Sequence, residues 1–115
     1  MLKKISTSLL VITFFLACNS GIQNKKAVDF KVWGNCGMCK SKIEKSGNIK
    51  NICKLSWDSD SKLATITYDA RKTNKNDILK RISLVGYDNE LFTAPDSVYN
   101  NLHGCCQYER TTKQQ

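Results

Sequence analysis

Val32-Trp33-Gly34-Asn35-Cys36-Gly37-Met38-Cys39-Lys40 places a Cys-x-x-Cys where an alternating apolar stretch stops and a helical pattern begins. Upstream, Val28, Phe30 and Val32 alternate with Asp29, Lys31 and Trp33, the period-two pattern of a strand with one face buried. Gly34 and Asn35 break that strand. From about Met38 onward Cys39 and Ile43 fall four apart, with Lys40, Lys42, Glu44 and Lys45 mostly outward, and Gly47-Asn48 ends the helix. Two thiols three positions apart on a strand-to-helix turn can aim both sulfurs at one point in solvent. That geometry suits a soft metal ion or a disulfide.

Further along, Cys53, Leu55 and Trp57 alternate with Lys54, Ser56 and Asp58, and Asp58-Ser59-Asp60-Ser61 reads as a turn. Ala64, Ile66 and Tyr68 against Thr65, Thr67 and Asp69 make the returning strand of a hairpin. Thr73 to Asp77 supplies N-cap residues ahead of Ile78, Leu79, Ile82 and Val85, whose spacing is helical, and Gly86 closes the element. Leu91-Phe92-Thr93 is expected as a short final strand. The order is strand, helix, strand, strand, helix, strand, which predicts an α+β, ferredoxin-like βαββαβ sandwich over residues 27–93.

The chain has 115 residues, and not all of them read as domain. Lys3 and Lys4 precede an apolar run from Ile5 to Ala17, too short for the roughly 20 residues of a spanning helix, so residues 1–17 read as an export signal. Phe15-Leu16-Ala17-Cys18 resembles the lipobox of bacterial lipoproteins, with Cys18 as the lipidated residue and first residue of the mature chain. Residues 18–26 then form a polar tether, and the expected location is periplasmic or on the outer membrane. Losing Lys3 and Lys4 leaves 16 basic against 10 acidic residues, a formal +6 that suits an acidic partner or an anionic surface. Nucleic acid is not indicated, because no base-stacking aromatic array accompanies the charge.

Five cysteines remain besides Cys18, an odd number that argues against a complete disulfide framework. Thiolates at Cys36 and Cys39 select soft ions such as Cu(I), Hg(II), Zn(II) or Cd(II), and a helix N-terminus beside Lys40 and Lys42 favours the thiolate of Cys39. Thiol-disulfide exchange is the rival chemistry, and a structural zinc module is a third. The proline that usually faces the pair in thioredoxin-like enzymes has no counterpart, since the sole Pro95 sits past the domain. Cys53 shares a face with Leu55 and Trp57 and reads as a buried apolar thiol. Beyond the domain, residues 94–115 form an extension carrying the only histidine, His103, beside Gly104-Cys105-Cys106. His103, Cys105 and Cys106 are expected to form a second metal-binding element. The tail is long enough to cross a small domain and return, with Val98, Tyr99 and Leu102 available to dock on the core. If it folds back, Cys105 or Cys106 could join Cys36 and Cys39 in a three- or four-thiolate site, in competition with a disulfide between the same groups.

Taken together, the stretch from about Ala27 to Phe92 resembles a heavy-metal-associated (HMA) domain, the family of copper chaperones, metal-ATPase N-terminal domains and periplasmic mercury-binding proteins. The family's two metal cysteines map onto Cys36 and Cys39, its helix aliphatic and acid onto Ile43 and Glu44, and its Gly-Tyr after the second helix onto Gly86-Tyr87. Gly34 and Asn35 stand where the family usually has Met and Thr, and Met38 lies between the cysteines, where it packs or adds a thioether. The resemblance implies a carrier rather than an enzyme: it would capture a soft ion, Cu(I) foremost, and pass it to a metal efflux or transport protein. It leaves Tyr87 either covering the site, as in bacterial-type members, or serving as a core aromatic at a helix end.

Overall fold

The computed structural model describes residues 21–110, so the segment read as an export signal and Cys18, read as the lipidated residue, lie outside the described residues. Three strands, β1 (Lys25–Lys31), β2 (Cys53–Trp57) and β3 (Leu63–Asp69), form an antiparallel sheet in the order β1-β3-β2. Helices α1 (Gly37–Gly47) and α2 (Lys75–Leu84) follow β1 and β3, and a short α3 (Asp96–Asn100) and a 3-10 turn (Gly104–Cys106) complete the elements among the described residues. β1 begins earlier than the tether reading allowed, because β3 runs on to Asp69 and offers ladder partners to Lys25 and Lys26.

The sheet register explains the core. Cys53 lies opposite Tyr68, Leu55 opposite Ile66 and Trp57 opposite Ala64, so one face of the hairpin is continuously apolar and buried. On α2, Ile78, Leu79 and Ile82 close over that face, while Val85 is the helix C-cap and stays exposed. Asn74 caps the start of α2 by accepting a hydrogen bond from the Asp77 N–H. At its other end Tyr87 N–H reaches back to Ile82 C=O and Gly86 N–H to Ser83 C=O, with Gly86 at φ +112, the left-handed stop expected from sequence. Gly47 ends α1 for another reason: a Cβ there would lie 2.5 Å from Leu55, so its absence lets α1 lie directly on β2.

The expected fourth strand is not formed. Its place beside β1 is held by a single bridge, Val32 to Asn89, and the next residues turn away. The Asn89 side chain accepts from the Leu91 and Phe92 N–H groups, and Asp88 accepts from the Ala94 N–H at 2.7 Å. Side chains thus take the donors that a ladder would have used, and Pro95 follows. The α+β, ferredoxin-like fold stands with this one edge reduced.

The tail then packs on the domain. Leu102 sits against Gly86, where a Cβ would come within 3.0 Å of it, and Tyr99, Leu102, Cys106 and Tyr108 extend the core. Tyr108 stacks on Tyr87 and its hydroxyl donates to Gly86 C=O while accepting from the Asp88 N–H, each at 2.8 Å. Arg110 grips Asp88 with two N–H groups at 2.8 and 2.9 Å and also reaches Ala94 C=O and Asp96.

Candidate metal centre

The loop from Trp33 to Cys36 is held from below by Trp57. Its indole N–H donates to Val32 C=O at 2.9 Å, and its ring fills the space under Gly34, where a Cβ would lie 3.0 Å away. The residue type found where the family usually has Met is therefore accounted for: the volume a longer side chain would take is occupied by an indole. Lys62 lies over the same ring and donates to Gly34 C=O at 2.7 Å. Glu44 accepts from the Trp57 N–H and from Lys40, tying α1 to the end of β2. Burial works against its ionisation, but these two donors hold its carboxyl below the ordinary range.

With the loop fixed, Cys36 occupies the N-cap of α1 and Cys39 its first turn, and their sulfurs stand 3.5 Å apart. Cys39 is fully buried and Cys36 half-buried, so the pair has one protected and one accessible member. The Cys39 N–H faces the Cys36 sulfur without closing a cap hydrogen bond; with the neighbouring Cys105 thiol, it lowers the Cys36 thiol to about 6. Met38 is exposed on the outer side of the loop.

The tail returns to this point. The Cys106 sulfur lies 3.7 Å from Cys36, and the sulfurs of Cys36, Cys39 and Cys106 all fall within 4.8 Å of one another. Cys106 is fully buried, and burial followed by the Cys39 neighbour pushes its thiol up to about 12. Cys105 is exposed, 3.4 Å from Cys36 and 3.9 Å from Cys106, with its thiol raised by the Cys36 contact. Tyr87 is fully buried with its hydroxyl facing Cys106 and Cys39, and burial raises it far enough to keep its proton. That hydroxyl has no hydrogen-bond partner among the described residues. The two alternatives for Tyr87 thus merge: it is a core aromatic whose polar end lies beside the thiols.

His103 is not brought into the group. It is exposed at the start of the 3-10 turn, and its backbone C=O accepts from the Cys106 N–H. A His-Cys-Cys element confined to the tail is therefore not what the fold builds; one tail cysteine joins the first loop instead. Cys53 lies buried in the sheet with its thiol pushed up by burial, as expected for a packing residue. Tyr108 and Arg110, which hold the tail in place, were missed by sequence reasoning. The signal for them was the alternation of Cys106, Tyr108 and Arg110 with exposed Gln107 and Glu109, a period-two pattern that marks an extended segment lying on a core.

The profile of the heavy-metal-associated domain matches residues 35–88. No curated protein matches the chain. Among solved structures a CopZ metallochaperone is similar, with 24% sequence identity and a TM-score of 0.53 over 56% of this chain and 98% of that one. The segment that delivers Cys106 lies beyond the residues the family profile matches. Residues 35–88 are thus similar to the heavy-metal-associated domain, on a fold shared with a CopZ metallochaperone.

Proposed function

We propose that the protein is a carrier that captures one soft metal ion between Cys36 and Cys39 and passes it to a transport or efflux protein by ligand exchange. The observation that carries this reading is the pair of sulfurs 3.5 Å apart at the first turn of α1, one buried and one accessible, in the heavy-metal-associated fold. The buried thiolate retains the ion while an incoming thiolate or thioether displaces the accessible one, so no step requires the ion to be free. Cu(I) is the favoured cargo, with Hg(II), Zn(II) and Cd(II) as other ions that such donors accept. The positive end of α1 stabilises the negative thiolates.

Chelator competition with Cu(I) tests the reading: tight one-to-one binding is expected in the wild type and its loss in the Cys36→Ser/Cys39→Ser variant with the fold intact. Unchanged affinity in that variant would exclude the site. The cellular setting we propose rests on residues 1–18 alone: export through Met1 to Ala17 and lipid anchorage at Cys18. Mass spectrometry of the native N-terminus, expected to show acylated Cys18 in a membrane fraction, decides it.

A further inference from the structure

We infer that the C-terminal tail is part of the metal site, with Cys106 as a third thiolate beside Cys36 and Cys39, and that the cargo is a soft ion that accepts three sulfurs. The inference rests on the capture reading above and deepens it.

Spacing is the first argument. An ion bound to thiolates at about 2.3 Å needs its sulfurs about 4.6 Å apart if two bind it linearly, and about 4.0 Å apart if three surround it in a plane. The sulfurs of Cys36 stand 3.5 Å from Cys39 and 3.7 Å from Cys106, and all three fall within 4.8 Å. A trigonal ion asks the two distances from Cys36, 3.5 and 3.7 Å, to open by only about 0.3 to 0.5 Å. A linear ion on Cys36 and Cys39 alone asks that pair to part by about 1.1 Å, although Cys39 is packed in the core.

The second argument is that Cys106 is held in place rather than merely near. Leu102 docks on Gly86, Tyr108 bridges Gly86 and Asp88, and Arg110 clamps Asp88, which fixes the chain on both sides of Cys106. Donors held by packing and hydrogen bonds lose little freedom when an ion arrives. The third is the Tyr87 hydroxyl, buried, without a hydrogen-bond partner among the described residues and facing the sulfurs of Cys106 and Cys39. A buried donor left unpaired costs free energy, and a metal-bound thiolate is an acceptor that relieves it. Each ligating thiol releases its proton to solvent, and no electron is transferred. Cys105 stays outside the trio on the exposed side.

X-ray absorption of the reduced full-length protein, loaded anaerobically with one equivalent of Hg(II), tests the inference. Three sulfur neighbours are expected in the wild type and in Cys105→Ser, and two in Cys106→Ser. Two sulfurs in the wild type would overturn it, and that count needs no variant to fold. Retention of three in Cys106→Ser with loss of one in Cys105→Ser would overturn the assignment to Cys106, as would a disulfide linking Cys106 to Cys36 in protein that still binds the ion. Unchanged Cu(I) affinity of the Cys36→Ser/Cys39→Ser variant in the chelator competition above would instead strike at the capture reading.

Discussion

Replacing Arg110 with Ala removes the clamp that closes the tail over the domain. Arg110 and Asp88 are 18% and 11% exposed, and the guanidinium meets both carboxylate oxygens, at 2.8 and 2.9 Å. Hydrogen bonds between charged groups contribute about 1.5 to 3 kcal/mol in such surroundings, and the two arms are not additive. The Asp96 arm adds little, since that carboxylate is 69% exposed and solvent screens it. Stacking of the guanidinium over Tyr99 at 4.5 Å adds roughly 0.5 to 1 kcal/mol. Against this, Asp88 keeps the Ala94 N–H at 2.7 Å and is not left wholly unpaired. The expected loss is about 2 to 3 kcal/mol, which for a domain of this size lowers Tm by roughly 10 to 20 °C. Arg110→Lys restores the charge but not the two-pronged grip and should recover less than half. Thermal unfolding of the reduced, metal-free protein followed by circular dichroism measures both. A Tm for Arg110→Ala within about 1 °C of wild type would refute the reasoning, and full recovery by Lys would show that a point charge suffices.

Alkylation of reduced, metal-free protein by iodoacetamide should occur first at Cys36, with a rate that rises through about pH 6 and levels above it; a midpoint near the ordinary thiol value of 9.0 would contradict the lowered value. With its folded value depressed, ionised Cys36 favours the fold above the ordinary thiol range, and that contribution is lost as pH falls through about 6. Tyr108→Phe strands the buried Asp88 N–H and Gly86 C=O and should cost about 1 to 3 kcal/mol in urea unfolding, whereas a change below a few tenths would mean that these groups find other partners. Gly34→Ala should cost about 1 to 3 kcal/mol by crowding Trp57, and combining it with Trp57→Phe should cost less than the sum of the two single changes; strict additivity in urea would show that the residues do not share the space.

The hairpin and both helices were legible because each buries one face, so Cys53, Leu55, Trp57 and Ile78, Leu79, Ile82 carry their period openly. Cys36 and Cys39 were legible for the same reason: their spacing is local and the turn that aims them lies within the same few residues. The fourth strand was misread because Leu91-Phe92-Thr93 has strand composition, while the side chains of Asn89 and Asp88 outcompete the ladder for its donors. Which tail residue meets the first loop was out of reach of sequence, since it depends on Leu102 finding Gly86 and on Tyr108 and Arg110 finding residues 86–88. The alternation of Cys106, Tyr108 and Arg110 marks an extended segment lying on a core, but the partners of Tyr108 and Arg110 are 20 to 22 residues away and the pattern does not name them. His103 looked like a ligand by type, and the 3-10 turn that buries Cys106 leaves it outside.

Among the described residues, reduction of the fourth strand to one bridge leaves β1 as one rim of the sheet. A rim is where a second copy of a chain would add itself, extending one sheet into another and eventually into a fibre. Here the rim strand reads Lys25-Lys26-Ala27-Val28-Asp29-Phe30-Lys31, so two rims aligned antiparallel over their full length would set Lys25 of each copy against Lys31 of the other. The positive charge of the strand therefore has a use at this edge: it opposes pairing of two copies through the side where the sheet was left unfinished.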